Sequence, residues 1–330
     1  MQQQGADPPS AGPAHFWATL DADSIRPYLP DVPVLLPIAS FQRRDYQLRH
    51  PPRLALVAAP VAVDTGAFAW FRRYSTYHFS ARQFADWIAG VRPPVSWAVI
   101  PDRPTEDLDD PCAVRRAQEQ TTEAIVHILE SLLDVPWSWT PVLQGRTLDD
   151  YLRHAIDLAG ILYDLAAIHA RRGQTFRVGL GSICRRGHVA EIRRIVAGVA
   201  SVLPGLALHL FGAKLDVLDG WGNRPRAVQS CDSAAWNGRF GSDIPLIDAE
   251  HRRLGLFQRR YALQVALPRY AARVEAIFGQ RLLPLSFDEP PPVHQTSTQE
   301  VLSMPYPNGL SAVETPARFA FPASTGDHAR

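Results

Sequence analysis

Six apolar stretches of the chain each end in a residue that can bind a ligand through its side chain or its backbone. Each is a carboxylate, an amide or a glycine: Asp64, Asp102, Gln144, Gly181, Gly212 and Asp232. Apolar runs of this length and composition predict buried strands. Because ligands of α/β proteins bind at the carboxyl ends of strands, we expect these residues to line one site.

Three carboxylates and an amide facing one pocket suit chemistry at a glycosidic carbon. One carboxylate can attack the carbon while another moves a proton. The glycines would let a flat ligand approach the backbone closely. Taken alone, Asp64 could instead cap the helix or turn that follows it. The recurrence of the pattern along the chain favours a site.

The sequence predicts neither a metal nor a cofactor. The histidines are scattered, and the carboxylates lack the spacing of metal ligands. Gly179 and Gly181 are too few for a dinucleotide fingerprint. Ser182 and Cys184 could suggest a nucleophile, but no histidine is spaced to activate either of them. We therefore interpret Cys184 as a structural residue.

Eight candidate strands alternate with helices, which predicts an α/β fold of the (β/α)8-barrel type, with an open doubly wound sheet as the alternative. The strands are predicted over residues 32–37, 54–63, 97–100, 139–143, 162–168, 176–180, 206–211 and 227–231. A helix competes with the strand at 162–168. Helices are predicted over residues 79–90, with Ser80 as N-cap, and over 117–133, 148–158, 188–203 and about 249–278.

Composition bounds the organisation of the chain. Its 330 residues, 46% hydrophobic and 20% charged, are enough for one large α/β domain or two smaller ones, and we predict one barrel domain with terminal helices over residues 14–285. Residues 1–13 are predicted to be disordered, and residues 286–330 to form a Pro/Ser/Thr-rich tail. The net charge of +1 neither favours nor excludes a polyanionic partner. Lys214 is the only lysine, so nearly every basic residue is arginine, whose planar fork suits phosphate and carboxylate.

Cysteine usage and hydropathy predict a cytoplasmic protein. The three cysteines show no disulfide or Cys-x-x-Cys spacing, which favours a reducing compartment. No stretch is long and apolar enough to span a membrane, and the N-terminus lacks the pattern of a signal peptide.

In their order along the chain, the motifs resemble those of the tRNA-guanine transglycosylases, and more closely those of their DNA-directed, DpdA-like relatives. Residues 64–68, Asp-Thr-Gly-Ala-Phe, resemble the family's Asp-Ser-Gly-Gly-aromatic motif. Residues 142–145 are similar to its Val-Gln-Gly motif, and residues 210–212 to its Leu-Met-Gly strand. Asp102 lies at the family's base-recognising aspartate, residues 178–182 at its second glycine strand, and Asp232 at its nucleophilic aspartate. The resemblance covers roughly Pro33 to Phe240.

The resemblance implies a role for each candidate residue. Asp232 would attack C1′ of a target nucleoside, expel guanine and leave a covalent glycosyl-enzyme, and Asp64 would be the general base toward the incoming base. The remaining substrate-binding residues would hydrogen-bond the base edge, approach it through their backbone or stack on its faces. They are Phe68, Asp102, Gln144, Gly145, Gly181, Phe211 and Gly212. For the two phenylalanines, barrel core is the alternative.

Four arginines are candidates for contacts with nucleic-acid phosphates, with plain solvent-exposed surface as the alternative. They are Arg72, Arg73, Arg185 and Arg186. The chain departs from the tRNA enzymes because no cysteine follows Cys231, so their Cys-x-Cys-x-x-Cys zinc site and its subdomain are missing. This difference favours DNA over tRNA. Ala67 replaces the second glycine of the first motif, which would tighten the approach to the base.

The sequence thus predicts a base-exchange transglycosylase that replaces guanine in DNA with a 7-deazaguanine such as preQ0. Duplex DNA would have to be opened, with or without accessory proteins, or the target base flipped. Related barrels dimerise, so a homodimer is a further expectation. The alternatives are a non-catalytic nucleic-acid-binding subunit with the same fold, a tRNA-directed transglycosylase, and a glycoside hydrolase or other small-molecule barrel enzyme.

Overall fold

The computed structural model describes residues 15–20, 32–43, 47–54, 59–235, 263 and 266–279. All of them belong to one compact unit, Met1–Gln280, and a second unit, Arg281–Arg330, lies outside the described residues. The predicted disordered segment 1–13, the predicted tail 286–330 and most of the first half of the helix predicted at about 249–278 also lie outside them.

Nine strands form a single sheet in which every pairing is parallel. They are β1 (Phe16–Thr19), β2 (Val34–Pro37), β3 (Val61–Asp64), β4 (Val95–Val99), β5 (Ser138–Thr140), β6 (Val142–Leu143), β7 (Val178–Leu180), β8 (Leu208–Leu210) and β9 (Val228–Ser233). The spatial order is β5-β4-β3-β2-β1-β9-β8-β7-β6, and consecutive strands are joined by parallel registers. Parallel order of this kind is that of a (β/α)8 barrel.

The two strands at the ends of the sheet order, β5 and β6, are consecutive in the chain, and Pro141 alone links them. This residue separates β5, which pairs with β4, from β6, which pairs with β7. Since β5 and β6 are two halves of one interrupted strand, the ring has eight positions, and the barrel prediction is confirmed.

Helices surround the strands, and several begin at recognisable caps. They are α1 (Ala67–Tyr74), α2 (Ala81–Gly90), α3 (Pro111–Ser131), α4 (Leu148–Arg171), α5 (Val189–Val202), the short α6 (Leu215–Leu218) and α7 (Leu267–Gly279). Ser80 is the N-cap of α2, as predicted, and forms a capping box with Gln83. Thr147 and Asp150 form a second box at the start of α4.

The structure corrects the predicted strands in three places. Residues 162–168, predicted as a strand, lie inside α4, where Leu158, Leu162 and Leu165 are buried at helical spacing. The strand that completes the ring is β1, which the sequence did not predict and which pairs with β2 and β9. The strand predicted over 54–63 is also shorter, since β3 begins at Val61.

Alternation along each strand separates two cores and aims the site residues inward. Trp17, Leu35, Ala62, Trp97, Val99 and Val142 pack together as a small inner cluster, with Phe211 against it. Their chain neighbours, such as Val61 and Val63, belong to the large core shared with the helices. Because side chains alternate with period two, Asp64 shares the face of Ala62 and points into the barrel mouth.

The described residues contain no helix that combines the length and apolarity needed to cross a membrane. Within the same part of the chain, no three His, Cys, Asp or Glu side chains are grouped so that they could hold a metal ion.

Candidate active site

Asp232, near the end of β9, is held by groups from the two neighbouring strands. The Thr19 hydroxyl donates to its Oδ2 at 2.6 Å, and the backbone N–H of Gly212 donates to its Oδ1 at 2.8 Å. Nε2 of His209 lies 3.4 Å from the same Oδ1. The residue is 6% exposed, so its carboxyl group is both buried and fixed in orientation.

Asp64 is the last residue of β3 and lies close enough to Asp232 to feel its charge. Burial, followed by the negative charge of Asp232, raises the pKa of Asp64 from 3.8 to about 7, while the backbone N–H groups of Gly66 and Thr65 oppose the shift. At neutral pH this carboxyl group therefore exchanges readily between its acid and base forms, as a proton-transfer group requires.

Gly66 makes the turn from β3 into α1 possible. Its φ is +65°, which favours glycine, and it occupies the N-cap of α1. A Cβ there would lie 2.6 Å from Cβ of Ala39. Because of this turn, α1 begins three residues after the end of β3. Phe68, in the first turn of α1, therefore follows Asp64 by four residues.

Asp102 and Gln144 are joined in a chain of hydrogen bonds that fixes the amide orientation. Nε2 of Gln144 donates to Asp102 Oδ2 at 2.5 Å, and its Oε1 accepts from the Ser182 hydroxyl at 2.5 Å. The Ser182 oxygen in turn accepts from the backbone N–H of Thr105 at 2.9 Å. Burial, followed by the charge of Asp64, raises the pKa of Asp102 to about 8 despite the bond from Gln144.

Close packing with Gly181 holds Gln144 in this place. A Cβ at Gly181 would lie 2.3 Å from the Gln144 amide nitrogen. The Gly181 carbonyl accepts from the Tyr151 hydroxyl at 2.6 Å, and the Gln144 carbonyl accepts from the Gln118 amide at 2.7 Å. The backbone around both residues is thus tied to α3 and α4.

The other two candidate glycines are also tightly packed. A Cβ at Gly145 would lie 2.8 Å from the Tyr151 ring, and the Gly145 carbonyl accepts from the Thr105 hydroxyl at 2.9 Å. Gly212 has a φ of +64°, and its N–H is the donor to Asp232. Both glycines therefore shape the loops that carry the side chains of the site.

The two candidate stacking residues lie in different surroundings. Phe211 follows β8, where its ring meets His209 at 4.7 Å between centroids, and a Cβ at Gly179 would collide with it at 2.2 Å. Phe68 lies on α1 and is half-buried, with the Arg185 guanidinium 4.8 Å and that of Arg72 5.8 Å from its ring centroid. The Phe68 ring thus makes cation–π contacts with two guanidinium groups.

The four candidate arginines differ in how much of their hydrogen-bonding capacity is already used. Arg72 and Arg73 are exposed in the last turn of α1, and Arg185 is exposed beside Asp107 at 3.7 Å. Arg186 pairs with Glu191 at 2.6 Å and donates to the carbonyls of Ser182 and Gly145. Its guanidinium therefore fastens the loops of the site to one another.

Several residues of the site gave no signal in the sequence. Thr19 lies on the unpredicted strand β1, while His209 and Glu106 carried no recognisable spacing. Burial raises the pKa of Glu106, whose Oε1 accepts from the Cys184 thiol at 3.7 Å. Burial likewise raises the pKa of Cys184 to about 12, so this thiol stays protonated at neutral pH. Only the alternation of His209 with Phe211 along β8 could have indicated that His209 faces the barrel interior.

Fold and site together define a (β/α)8-barrel protein whose carboxyl-terminal face carries a cluster of mutually repelling carboxyl groups, two of which have raised pKa values. Perturbed acids of this kind concentrate at catalytic sites. A sequence profile of the DpdA family, described as deoxypurine in DNA protein A, matches residues 32–264. The chain belongs to the DpdA family, which places it in the modification of deoxypurines in DNA. A search of curated proteins finds no match.

Proposed function

We propose that the protein is a transglycosylase that exchanges guanine in DNA for a 7-deazaguanine through a covalent aspartyl-glycosyl intermediate. The observation that carries the proposal is the pair formed by Asp232, whose carboxyl group accepts hydrogen bonds from Thr19 and Gly212, and Asp64, whose pKa is about 7. One carboxylate is built to attack and the other to move a proton.

In the first half-reaction a carboxylate oxygen of Asp232 attacks C1′ of the target deoxyguanosine. The C1′–N9 bond breaks, its electron pair goes to the departing guanine, and the acid form of Asp64 supplies a proton to that base. In the second half-reaction the Asp64 carboxylate takes the N9 proton of the incoming deazaguanine. That nitrogen then attacks C1′, and the ester bond breaks to restore the Asp232 carboxylate.

The hydrogen-bonded pair Asp102 and Gln144 would read the edge of the bound base, with backbone at Gly181 assisting. Phe68 and Phe211 would stack on the base, and Gly145 and Gly212 would contact it through their backbone. Arg72, Arg73 and Arg185 would meet the DNA phosphates, and Arg186, already bonded to Glu191, would join them through its remaining capacity. Neither a cofactor nor a metal is part of the proposal.

The test is nucleoside analysis of DNA and of tRNA, each incubated with purified protein and preQ0. We expect a deazaguanosine in DNA with the wild-type protein and none with Asp232→Asn. Asp216→Asn, which changes an exposed carboxylate of α6, is the matched control and should retain full activity.

Other outcomes would select among the alternatives. Modification of tRNA alone would keep the chemistry and overturn DNA as the substrate. Base or DNA binding without exchange would favour a non-catalytic subunit or a protein that requires an accessory partner. Release of a sugar from a small glycoside, with no exchange, would favour a hydrolase.

A further inference from the structure

The imidazole of His209 lies directly against the carboxyl group of Asp232. The residue is fully buried on the inner face of β8, with Nε2 3.4 Å from Asp232 Oδ1 and Nδ1 2.9 Å from the Ser230 hydroxyl. Both neighbours come from β9, the adjacent strand, so the register of the two strands sets the contact.

The Asp232 carboxylate favours one tautomer of the ring, and the Ser230 hydroxyl, which can donate or accept, is able to support it. If Nδ1 held it, the lone pair of Nε2 would face a carboxylate oxygen at 3.4 Å, which is repulsive. If the Ser230 hydroxyl donates to Nδ1, Nε2 carries the proton and points it at Asp232. Burial, together with the charge of Arg177, lowers the pKa of His209 against the opposing effect of Asp232, which favours the neutral ring.

The ring is also fixed in place by packing. Trp97 contacts it edge-on at 5.0 Å between centroids, and Phe211 does so at 4.7 Å. The Arg177 guanidinium lies over Trp97, 4.7 Å from its ring centroid. A histidine confined in this way cannot rotate away from Asp232 without disturbing the inner cluster.

We propose that His209 is a positioning residue for the nucleophile: its Nε2–H, in the tautomer that Asp232 favours and Ser230 can support, orients the Asp232 carboxylate for attack on C1′. The inference rests on the proposed function. Thr19 and Gly212 donate hydrogen bonds to the same carboxylate, while His209 Nε2 is buried 3.4 Å from it and has no hydrogen-bond partner among the described residues, so the carboxylate is the group it is placed to serve. Such support acts by holding the attacking oxygen in line with C1′, where a small misplacement is costly.

The experiment compares two substitutions of His209, which distinguish the role of Nε2 from that of Nδ1. In His209→Gln the amide nitrogen can take the position of Nε2, whereas the shorter side chain of His209→Asn reaches only toward Ser230. We expect His209→Asn to lower kcat for guanine release about 10- to 100-fold, with KM for the base changed by less than about twofold, and His209→Gln to recover most of the loss. Ser230→Ala leaves the ring in place and should lower kcat by a smaller factor.

His169→Gln is the matched control, because it replaces a buried histidine whose partners are Gln174 and the backbone of Trp139. Equal kcat values for His169→Gln, His209→Asn and Ser230→Ala would overturn the inference while leaving the proposed function intact. Equal losses in the Asn and Gln variants, with Ser230→Ala fully active, would also overturn it, since packing alone would explain them. A wild-type protein without guanine exchange would instead refute the proposed function.

Discussion

At the scale of single residues, Asp64 changes its proton affinity with the state of Asp232. In the free enzyme the two carboxyl groups repel, which contributes to a pKa of about 7 for Asp64. Once Asp232 is an ester in the proposed intermediate, it has no charge and this repulsion ends. Asp64 would then lose its proton more readily, at the step where a base is needed.

This coupling predicts different pH profiles for the two half-reactions. Guanine release needs the acid form of Asp64, so its rate should fall as pH rises past about 7. Attack by the incoming base needs the carboxylate and should stay fast at lower pH. The measurement is rapid-quench release of labelled guanine, followed by incorporation of the new base, from about pH 5 to about pH 9. Guanine release that accelerates through neutral pH would contradict the assignment of Asp64 as the acid.

The raised pKa of Asp102 predicts that the protein loses stability as the pH rises. Its pKa is raised to about 8 in the folded protein from an ordinary 3.8, so the native state holds the proton more tightly than the unfolded chain does. The free energy of unfolding therefore falls as pH rises between these two values. Asp102→Asn removes this loss, and its melting temperature should exceed that of the wild type at about pH 9, by about 2–4 °C for each kcal/mol gained. At about pH 4 the advantage should vanish. An equal gain at both pH values would show that the substitution acts through packing.

At the scale of the strands, Gly181 allows the approach of Gln144 to Asp102. In Gly181→Ala the new Cβ would lie 2.3 Å from the Gln144 amide nitrogen, so the amide must leave Asp102. Because Asp102 is mostly neutral at neutral pH and an ordinary hydrogen bond contributes about 0.5–1.5 kcal/mol, we expect KM for the base to rise about 2- to 12-fold. Gly187→Ala is the control, since a Cβ there has no neighbour within 4 Å. Kinetics with the base as the varied substrate test this, and unchanged KM values in both variants would contradict it.

The sequence predicted the ends of the strands better than their number. Runs that end in Asp64, Gln144 or Asp232 are strands, because buried parallel strands are continuously apolar and stop at polar residues. Residues 162–168 have the same composition but follow helical spacing inside α4. The four residues of β1 gave no recognisable pattern, and their pairing with β2 and with the distant β9 makes them a strand. The predicted count of eight was therefore reached through two errors that cancelled.

For the candidate site too, local sequence predicted some residues, whereas others depend on contacts between distant parts of the chain. Side chains at strand ends were predictable, because a parallel barrel gathers them at one face. The groups that support them were not, since the bond from Thr19 to Asp232 joins residues 213 positions apart in sequence. Which residues become neighbours across β8, β9 and β1 depends on their register, and local composition carries no record of it.

At the scale of the whole molecule, a net charge of +1 leaves any attraction for DNA to local groups of arginines. Arg72 and Arg73 extend from α1 at the barrel mouth, and Arg185 adds a third exposed cation beside Phe68. Arg171 and Arg172 form another adjacent pair at the end of α4, which in a barrel lies at the opposite face, although Arg172 also bonds the Leu133 carbonyl and lies 3.6 Å from Asp134. A comparison of the two arginine pairs can therefore show which face of the barrel binds DNA.

We predict that DNA binds across the mouth and not across the opposite face. Replacing both Arg72 and Arg73 by Gln should weaken DNA binding and reduce the slope of log affinity against log salt by about 0.7–0.9 for each phosphate that is no longer neutralised. The same exchange at Arg171 and Arg172 removes equal charge and should leave the slope unchanged. Fluorescence anisotropy with a labelled oligonucleotide, titrated over a series of salt concentrations, gives both slopes. Equal reductions in the two double variants would mean that net charge governs binding, and a reduction confined to Arg171 and Arg172 would place DNA at the other end of the barrel.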